Sequence, residues 1–252
     1  GVPYPGVPYA PEHNIREGPP LDEAIEAAAR GLPRAEREHD VVARIIVCGL
    51  RHLEPTMSLT LAKLAVAHRD RGVVGFDLAG GERGHPASAH AEAFAYARQH
   101  DLAVTVHAGE GDGADSVRQA VHLCGANRLG HATRLIEDES LTRYVNDRRI
   151  ALEVCLTSNV QTHATESFDT HPVRQYFDRG MNVVLNTDNR LMSGTTLTDE
   201  YLLAARHHSF TFEELSAIAL NGFVSAFIPW KERMRLLQRA AEEIERLRRG
   251  AR

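Results

Sequence analysis

The polar residues of this sequence that could do chemistry stand where short apolar runs stop. Gly80 follows Phe76-Asp-Leu-Ala79, His107 and Glu110 follow Leu102-Ala-Val-Thr-Val106, and His131 follows Asn127-Arg-Leu-Gly130. Ser158 and Asn159 follow Glu153-Val-Cys-Leu-Thr157, and Asp188 with Asn189 closes Val183-Val-Leu-Asn-Thr187. Imidazole and carboxylate groups together suit a divalent transition metal, zinc or iron, with one coordination position left open for a reacting molecule. Each residue also has a plainer explanation. A histidine ending a strand is often a hydrogen-bonded structural group, a glutamate past a strand end is usually solvated, and an aspartate before a turn usually caps it. Two His, one Glu and one Asp at four successive strand ends are harder to explain by packing, which favours apolar or small residues there. Of the twelve histidines outside this set, eleven fall by default to surface, helix or supporting roles: His13, His39, His52, His85, His90, His100, His122, His163, His171, His207 and His208.

Elements of a particular kind must bring such residues together. Val41–Leu50, Val73–Ala79, Leu102–His107, Arg128–His131, Ile150–Thr157 and Asn182–Thr187 read as six strands, near-continuously apolar and so buried on both faces. Helical stretches separate them at Ser58–Arg71, Ala87–Gln99, Ala114–Cys124, Ser140–Asp147 and His171–Arg179. This alternation predicts βαβ units and a parallel sheet. If the sheet curls into a barrel, the C-terminal strand ends share one rim, where such barrels place their chemistry. Thr211-Phe-Glu-Glu214 has the form of a capping box and predicts a helix over 212–221. Met234, Leu237, Ala241, Ile244 and Leu247 recur at helical spacing and predict a helix over 231–248, its apolar stripe packed on the outside of the fold. The expected organisation is one α/β barrel domain over residues 1–252. Gly1–Pro11 alternates like a strand but contains Pro3, Pro5 and Pro8, so it is expected to be an open edge or irregular.

Composition narrows the function classes. The chain of 252 residues is 43% hydrophobic and 25% charged, the proportions of a soluble globular protein. Its 29 basic and 34 acidic residues make no cationic field for a phosphate backbone, so nucleic acid is not an expected partner. No run reaches the roughly 18 apolar residues of a membrane span, and the N-terminus lacks a signal-peptide pattern. A cytoplasmic protein with no membrane partner is expected. Cys48, Cys124 and Cys155 are too few and too scattered for a disulfide framework or zinc ribbon and read as buried free thiols.

His107-Ala-Gly-Glu110, Gly130-His131-Ala-Thr-Arg-Leu135, Glu153-Val-Cys-Leu-Thr-Ser-Asn159 and Leu185-Asn-Thr-Asp188-Asn-Arg-Leu-Met-Ser-Gly-Thr195 together resemble the adenosine deaminase family, in order and spacing. Phe76-Asp-Leu-Ala-Gly80 and Asn221-Gly-Phe223 belong to the same resemblance, which covers nearly the whole chain. It implies a TIM-type (β/α)8 barrel and a zinc-dependent hydrolysis of adenosine or a related 6-aminopurine to the 6-oxo product and ammonia, within purine salvage. On that resemblance His107 and Asp188 are metal ligands, for one Zn2+ or another divalent transition metal. Glu110 resembles the acid that protonates the purine ring nitrogen, His131 the group that orients the attacking hydroxide, and Asp188 also the acceptor of its proton. Gly80 and Asn189 resemble substrate-binding positions.

Three departures qualify these expectations. Family members carry a His-x-His pair at the end of their first strand, and no such pair follows an apolar run here; His207-His208 is adjacent and lies beyond the last strand. Gly1–Pro11 then corresponds to the family's second strand, and the barrel is expected to be incomplete, with the first strand missing. Such a chain could bind metal poorly and self-associate through open strand edges. Second, Val7-Pro8-Tyr9 stands where members usually have Val-Arg-Phe. Third, Asn189 replaces an aspartate that many members carry, and its amide can donate to a ring nitrogen. Two alternatives therefore stand beside adenosine deamination: a truncated or degenerate barrel without catalysis, and a deaminase of another aminopurine, adenine or an aminodeoxyfutalosine-type nucleoside.

Overall fold

Runs of β-branched residues bounded by turns make strands, and strands of one direction need a long return connection, which the amphipathic stretches supply as helices. The computed structural model describes residues 3–15, 20–39 and 41–250. In chain order the elements are β1 (Gly6–Tyr9), α1 (Leu21–Glu38), β2 (Arg44–Leu50), α2 (Pro55–Ala67), β3 (Val73–Ala79), α3 (Ala91–Gln99), β4 (Ala103–Ala108), α4 (Ala114–His122) and β5 (Arg128–His131). They continue with α5 (Glu139–Asp147), β6 (Ala151–Val154), α6 (Leu156–Gln161), α7 (Val173–Asp178), β7 (Val183–Leu185), α8 (Arg190–Ser193), α9 (Leu197–His208), α10 (Phe212–Val224) and α11 (Trp230–Gly250).

Every neighbouring pair of strands is parallel, and the order β1 to β7 follows the sequence without a crossing. The sheet curls with its helices outside, as an incomplete TIM-type α/β barrel. Among the described residues β1 and β7 are its two edges and do not pair with each other.

The proline-bearing opening stretch forms the edge strand expected of it, but it is not irregular. Gly6 to Tyr9 pair in register with Arg44 to Val47 of β2. The prolines are tolerated because a proline keeps its carbonyl: Val42 donates to the Pro3 oxygen at 2.9 Å and Arg44 to the Pro5 oxygen at 3.1 Å.

The sheet is less apolar inside than the strand runs suggest. Phe76, Leu78, Val104, Val106, Leu129, Leu152 and Val154 are buried in the main core. Yet Asp77 and Thr105 are buried too, and Arg128 bonds Glu153 at 2.9 Å, which in turn accepts from the Thr105 hydroxyl at 2.7 Å. These residues lie between the apolar ones in sequence, as a period of two places them on the opposite face of the sheet.

Ile150–Thr157 ends as a strand at Val154 rather than Thr157. Thr157 is claimed instead by Glu200 of α9, whose carboxylate accepts from its hydroxyl at 2.5 Å and its backbone N–H at 3.2 Å. The predicted capping box at Thr211 is present, and α10 runs three residues past the expected end at Asn221, to Val224. A second box, Thr196 with Asp199, opens α9. On α11 the buried residue is Leu236, whereas Met234 and Leu247 are 39% and 60% exposed. The packed side is thus rotated from the Met234–Leu247 stripe, and α11 lies on α10.

Candidate active site

The C-terminal strand ends meet as a single polar centre. His107 is the penultimate residue of β4, Glu110 lies in the turn that follows, His131 at the end of β5, and Asp188 in the turn after β7. The rings of His107 and His131 stand with centroids 5.1 Å apart. Gly130 is opposite His107 in the β4–β5 register, and a Cβ there would come within 3.1 Å of the His107 Cα and Cγ. A residue without a side chain is what leaves the His107 ring its place.

Asp77, wholly buried on β3, holds His107 from below. Its Oδ1 is 3.1 Å from His107 Nδ1 and also accepts from the Leu78 N–H at 2.7 Å. A carboxylate only accepts, so Nδ1 of His107 carries a proton, and Nε2 is the nitrogen that would become a ligand on giving up its own. Burial works against a charged His107 ring, but the Asp77 carboxylate outweighs it and raises the pKa to about 9. Burial works equally against Asp77, and His107 still holds that carboxyl below the usual range.

His131 is almost fully buried. Its Nε2 is 3.5 Å from Glu110 Oε2, and its Nδ1 is 2.9 Å from the Asn159 side-chain nitrogen. Burial lowers its pKa, so the ring is held neutral. Thr162 donates to Glu110 Oε1 at 2.9 Å, and Ser158 donates to Asp188 Oδ2 at 2.7 Å. The Asp188 charge acts on both imidazoles. His131 and Asp188 have φ of +62° and +53°, a region that costs a non-glycine residue about 1–3 kcal/mol. Two of the four central residues are therefore held in backbone conformations that packing alone would not choose.

The other expected positions flank this centre. Gly80 leaves β3 with φ +96° and is exposed. Asn189 is exposed as well, and its side-chain oxygen caps α8 by accepting from the Met192 N–H at 3.2 Å, which leaves its amide nitrogen for other contacts.

Several supporting residues are invisible in the pattern of strand ends. The Glu82 carboxylate accepts from four successive backbone N–H groups, of Gly109, Glu110, Gly111 and Asp112, at 2.6, 2.9, 2.6 and 3.1 Å. It thereby shapes the loop that carries Glu110. Buried Arg51 donates to the carbonyls of His107 and His85. His171, grouped with the bland histidines from sequence, is buried and bonds Asn159. No spacing rule marks Glu82 or Arg51, since each acts on residues about thirty to fifty positions away. The three cysteines are buried and free, as expected, and burial pushes their thiols up.

His107 through Nε2 and Asp188 through its carboxylate are the two groups suited to a metal. A catalytic zinc takes three protein ligands and a water. The described residues contain no group of three or more His, Cys, Asp or Glu able to hold a metal ion, so by themselves they do not fit one.

A parallel barrel sheet with imidazoles and carboxylates converging at its C-terminal rim defines the class of barrel proteins that place polar chemistry on that rim. A family model described as adenosine deaminase matches residues 1–243. Adenosine deaminase 1 of Streptomyces coelicolor is 38% identical over 253 residues, covering 94% of this chain and 63% of that protein. The chain thus spans a little under two thirds of that relative's length. The solved structure of ADAL from Arabidopsis complexed with IMP is 26% identical with a TM-score of 0.86, covering 95% of this chain and 73% of the other. An amidohydrolase from Burkholderia ambifaria with bound Zn, 24% identical, superposes with a TM-score of 0.92 over 99% of this chain and 70% of its own. The chain belongs to the adenosine deaminase family.

Proposed function

We propose that the protein takes part in hydrolytic deamination of a 6-aminopurine, adenosine in the first instance. In this reaction water adds to the carbon bearing the amino group, the adjacent ring nitrogen takes a proton, and ammonia leaves. The observation that carries the reading is the approach of His131 Nε2 to Glu110 Oε2 within a centre shared with His107 and Asp188. In the proposed roles Glu110 delivers the proton to the ring nitrogen, Asp188 takes one from the attacking water, and His131 donates a hydrogen bond to the attacking oxygen. Gly80 and Asn189 are proposed to border the purine. The IMP held by the Arabidopsis neighbour supports a purine ligand.

One zinc ion is the metal proposed for the working enzyme, His107 and Asp188 being two of its ligands, and bound zinc would make hydroxide available near neutral pH. Two donors do not complete such a site, and Glu110, Asp188 and His131 act in these roles through their own side-chain groups. That shortfall favours one second reading, a barrel that binds purine without turning it over. A cytoplasmic, single-domain enzyme of purine salvage is part of the proposal. Among the described residues no helix is long and apolar enough to cross a membrane.

The test is loss of adenine-type absorbance on incubating zinc-supplied protein with adenosine, adenine and larger aminopurine nucleosides, beside metal analysis of the same sample. Turnover of any of them, abolished in Glu110→Gln, supports deamination. No turnover of any with stoichiometric zinc present refutes it.

A further inference from the structure

The nitrogen of His131 that faces Glu110 can take part as a donor or as an acceptor, depending on which ring nitrogen carries the proton. A hydrogen-bonded chain behind the ring decides this. His171 Nδ1 accepts from the backbone N–H of Val173 at 3.0 Å. Val173 opens α7, so this N–H is one of the first-turn donors that a helix cannot satisfy internally. A backbone N–H cannot act as acceptor, so Nδ1 of a neutral His171 has no proton and Nε2 carries it. That Nε2 lies 3.1 Å from the Asn159 side-chain oxygen. The Asn159 amide is thereby oriented with its nitrogen toward His131 Nδ1, 2.9 Å away, which must accept. Turning the amide over would set its N–H2 against the Nε2–H of His171, donor against donor, and Nε2 would accept only in a ring with no proton on either nitrogen.

We infer that His171 and Asn159 are positioning residues that hold His131 as its neutral Nε2–H tautomer, the direction of the whole chain being set by the Val173 backbone N–H. Asn159 is fully buried and His171 nearly so; the ring packed against His171 is that of His208, 6.3 Å between centroids, and the His131 ring also acts on it electrostatically. Burial lowers the His171 pKa to about 3, in keeping with a ring that stays neutral. The catalytic meaning rests on the deamination reading. A His131 protonated at Nε2 donates to the attacking oxygen and cannot take the water's proton, which leaves that task to Asp188.

Long-range 1H–15N correlation spectra of the 252-residue chain with 15N-labelled histidine test the inference without turnover. The expected spectrum at pH 8 shows both His131 and His171 neutral, with the proton on Nε2. A proton on Nδ1 of His131, or a charged His131 ring, overturns the inference. Asn159→Asp replaces the donating amide by a group that only accepts. It is expected to move the His131 proton to Nδ1, in spectra recorded well above the ring's titration. In the active enzyme kcat should then fall about 10²–10³-fold with KM changed by less than about threefold, the loss typical of one donor to a developing oxyanion. An Asn159→Asp variant that keeps the Nε2–H tautomer and full kcat overturns the positioning role. If a substitution prevents folding, the wild-type spectrum alone still decides. Absence of turnover in the wild type counts against deamination and leaves the tautomer result standing.

Discussion

Glu82→Gln isolates what the buried carboxylate under the Glu110 loop contributes. One Glu82 oxygen, Oε2, accepts from Glu110, Gly111 and Asp112, and the other, Oε1, accepts from Gly109. A glutamine satisfies most donors by turning its carbonyl toward the three and its amide toward Gly109. The Gly109 N–H then faces another donor, and a buried unpaired group costs about 1–3 kcal/mol. The other three bonds survive but change from charge-assisted to neutral, a difference of about 1 kcal/mol each. Non-additivity within one network brings the expected loss to about 3 kcal/mol. At about 2–4 °C per kcal/mol for a chain of this size, Tm falls by roughly 6–12 °C. Hydrogen exchange supplies the local readout: the four amides of residues 109–112 should exchange faster than in wild type by more than the amides of β6 do. A Glu82→Gln protein within about 0.5 kcal/mol of wild type, the range of ordinary surface changes, with those four amides still protected, would refute the reasoning.

His171 sets a pH dependence of stability. Burial lowers its folded pKa to about 3 from the ordinary imidazole value of about 6.5, so the unfolded chain binds its proton first. The contribution is full above pH 6.5 and is lost as pH falls toward 3, on the order of 4 kcal/mol at the lower end. His171→Phe should flatten that limb in denaturant titrations from pH 7 to 4, and an unchanged slope would contradict it. Gly80→Ala forces a side chain into φ +96° with its Cβ 3.3 Å from His52 Nδ1. It should cost about 1–3 kcal/mol by denaturant unfolding, whereas a neutral substitution would show the turn can relax. Thr196→Ala removes the side-chain acceptor for the Asp199 N–H at the start of α9. About 1 kcal/mol should be lost, with m unchanged, and Thr196→Ser should restore it.

Much of the fold is legible because the signals are local. β3 and β5 begin and end where their apolar runs do, and the Thr211 box opens α10, since each depends only on neighbouring residues. The four central site residues are legible for the same reason: a polar side chain directly after a buried run stands at a strand end whatever the rest of the chain does. What escaped was of two kinds. α1 is amphipathic but contains Pro33, a residue that ordinarily ends a helix, and α9 follows the last strand without an apolar run to announce it. Glu82, Arg51 and the His171–Asn159–His131 chain join residues from separate βα units, and their partners exist only once the strands are in register.

The amino-acid sequence by itself determined the type of most elements, the parallel α/β class, and that His107, Glu110, His131 and Asp188 would share a rim, because hydrophobic period and strand ends are properties of adjacent residues. Only the tertiary structure decided which of two nitrogens His131 turns toward Glu110 and which carboxylate shapes the Glu110 loop. Those outcomes depend on hydrogen-bond distances of about 3 Å between segments remote in the chain, and no pattern of neighbours specifies a distance.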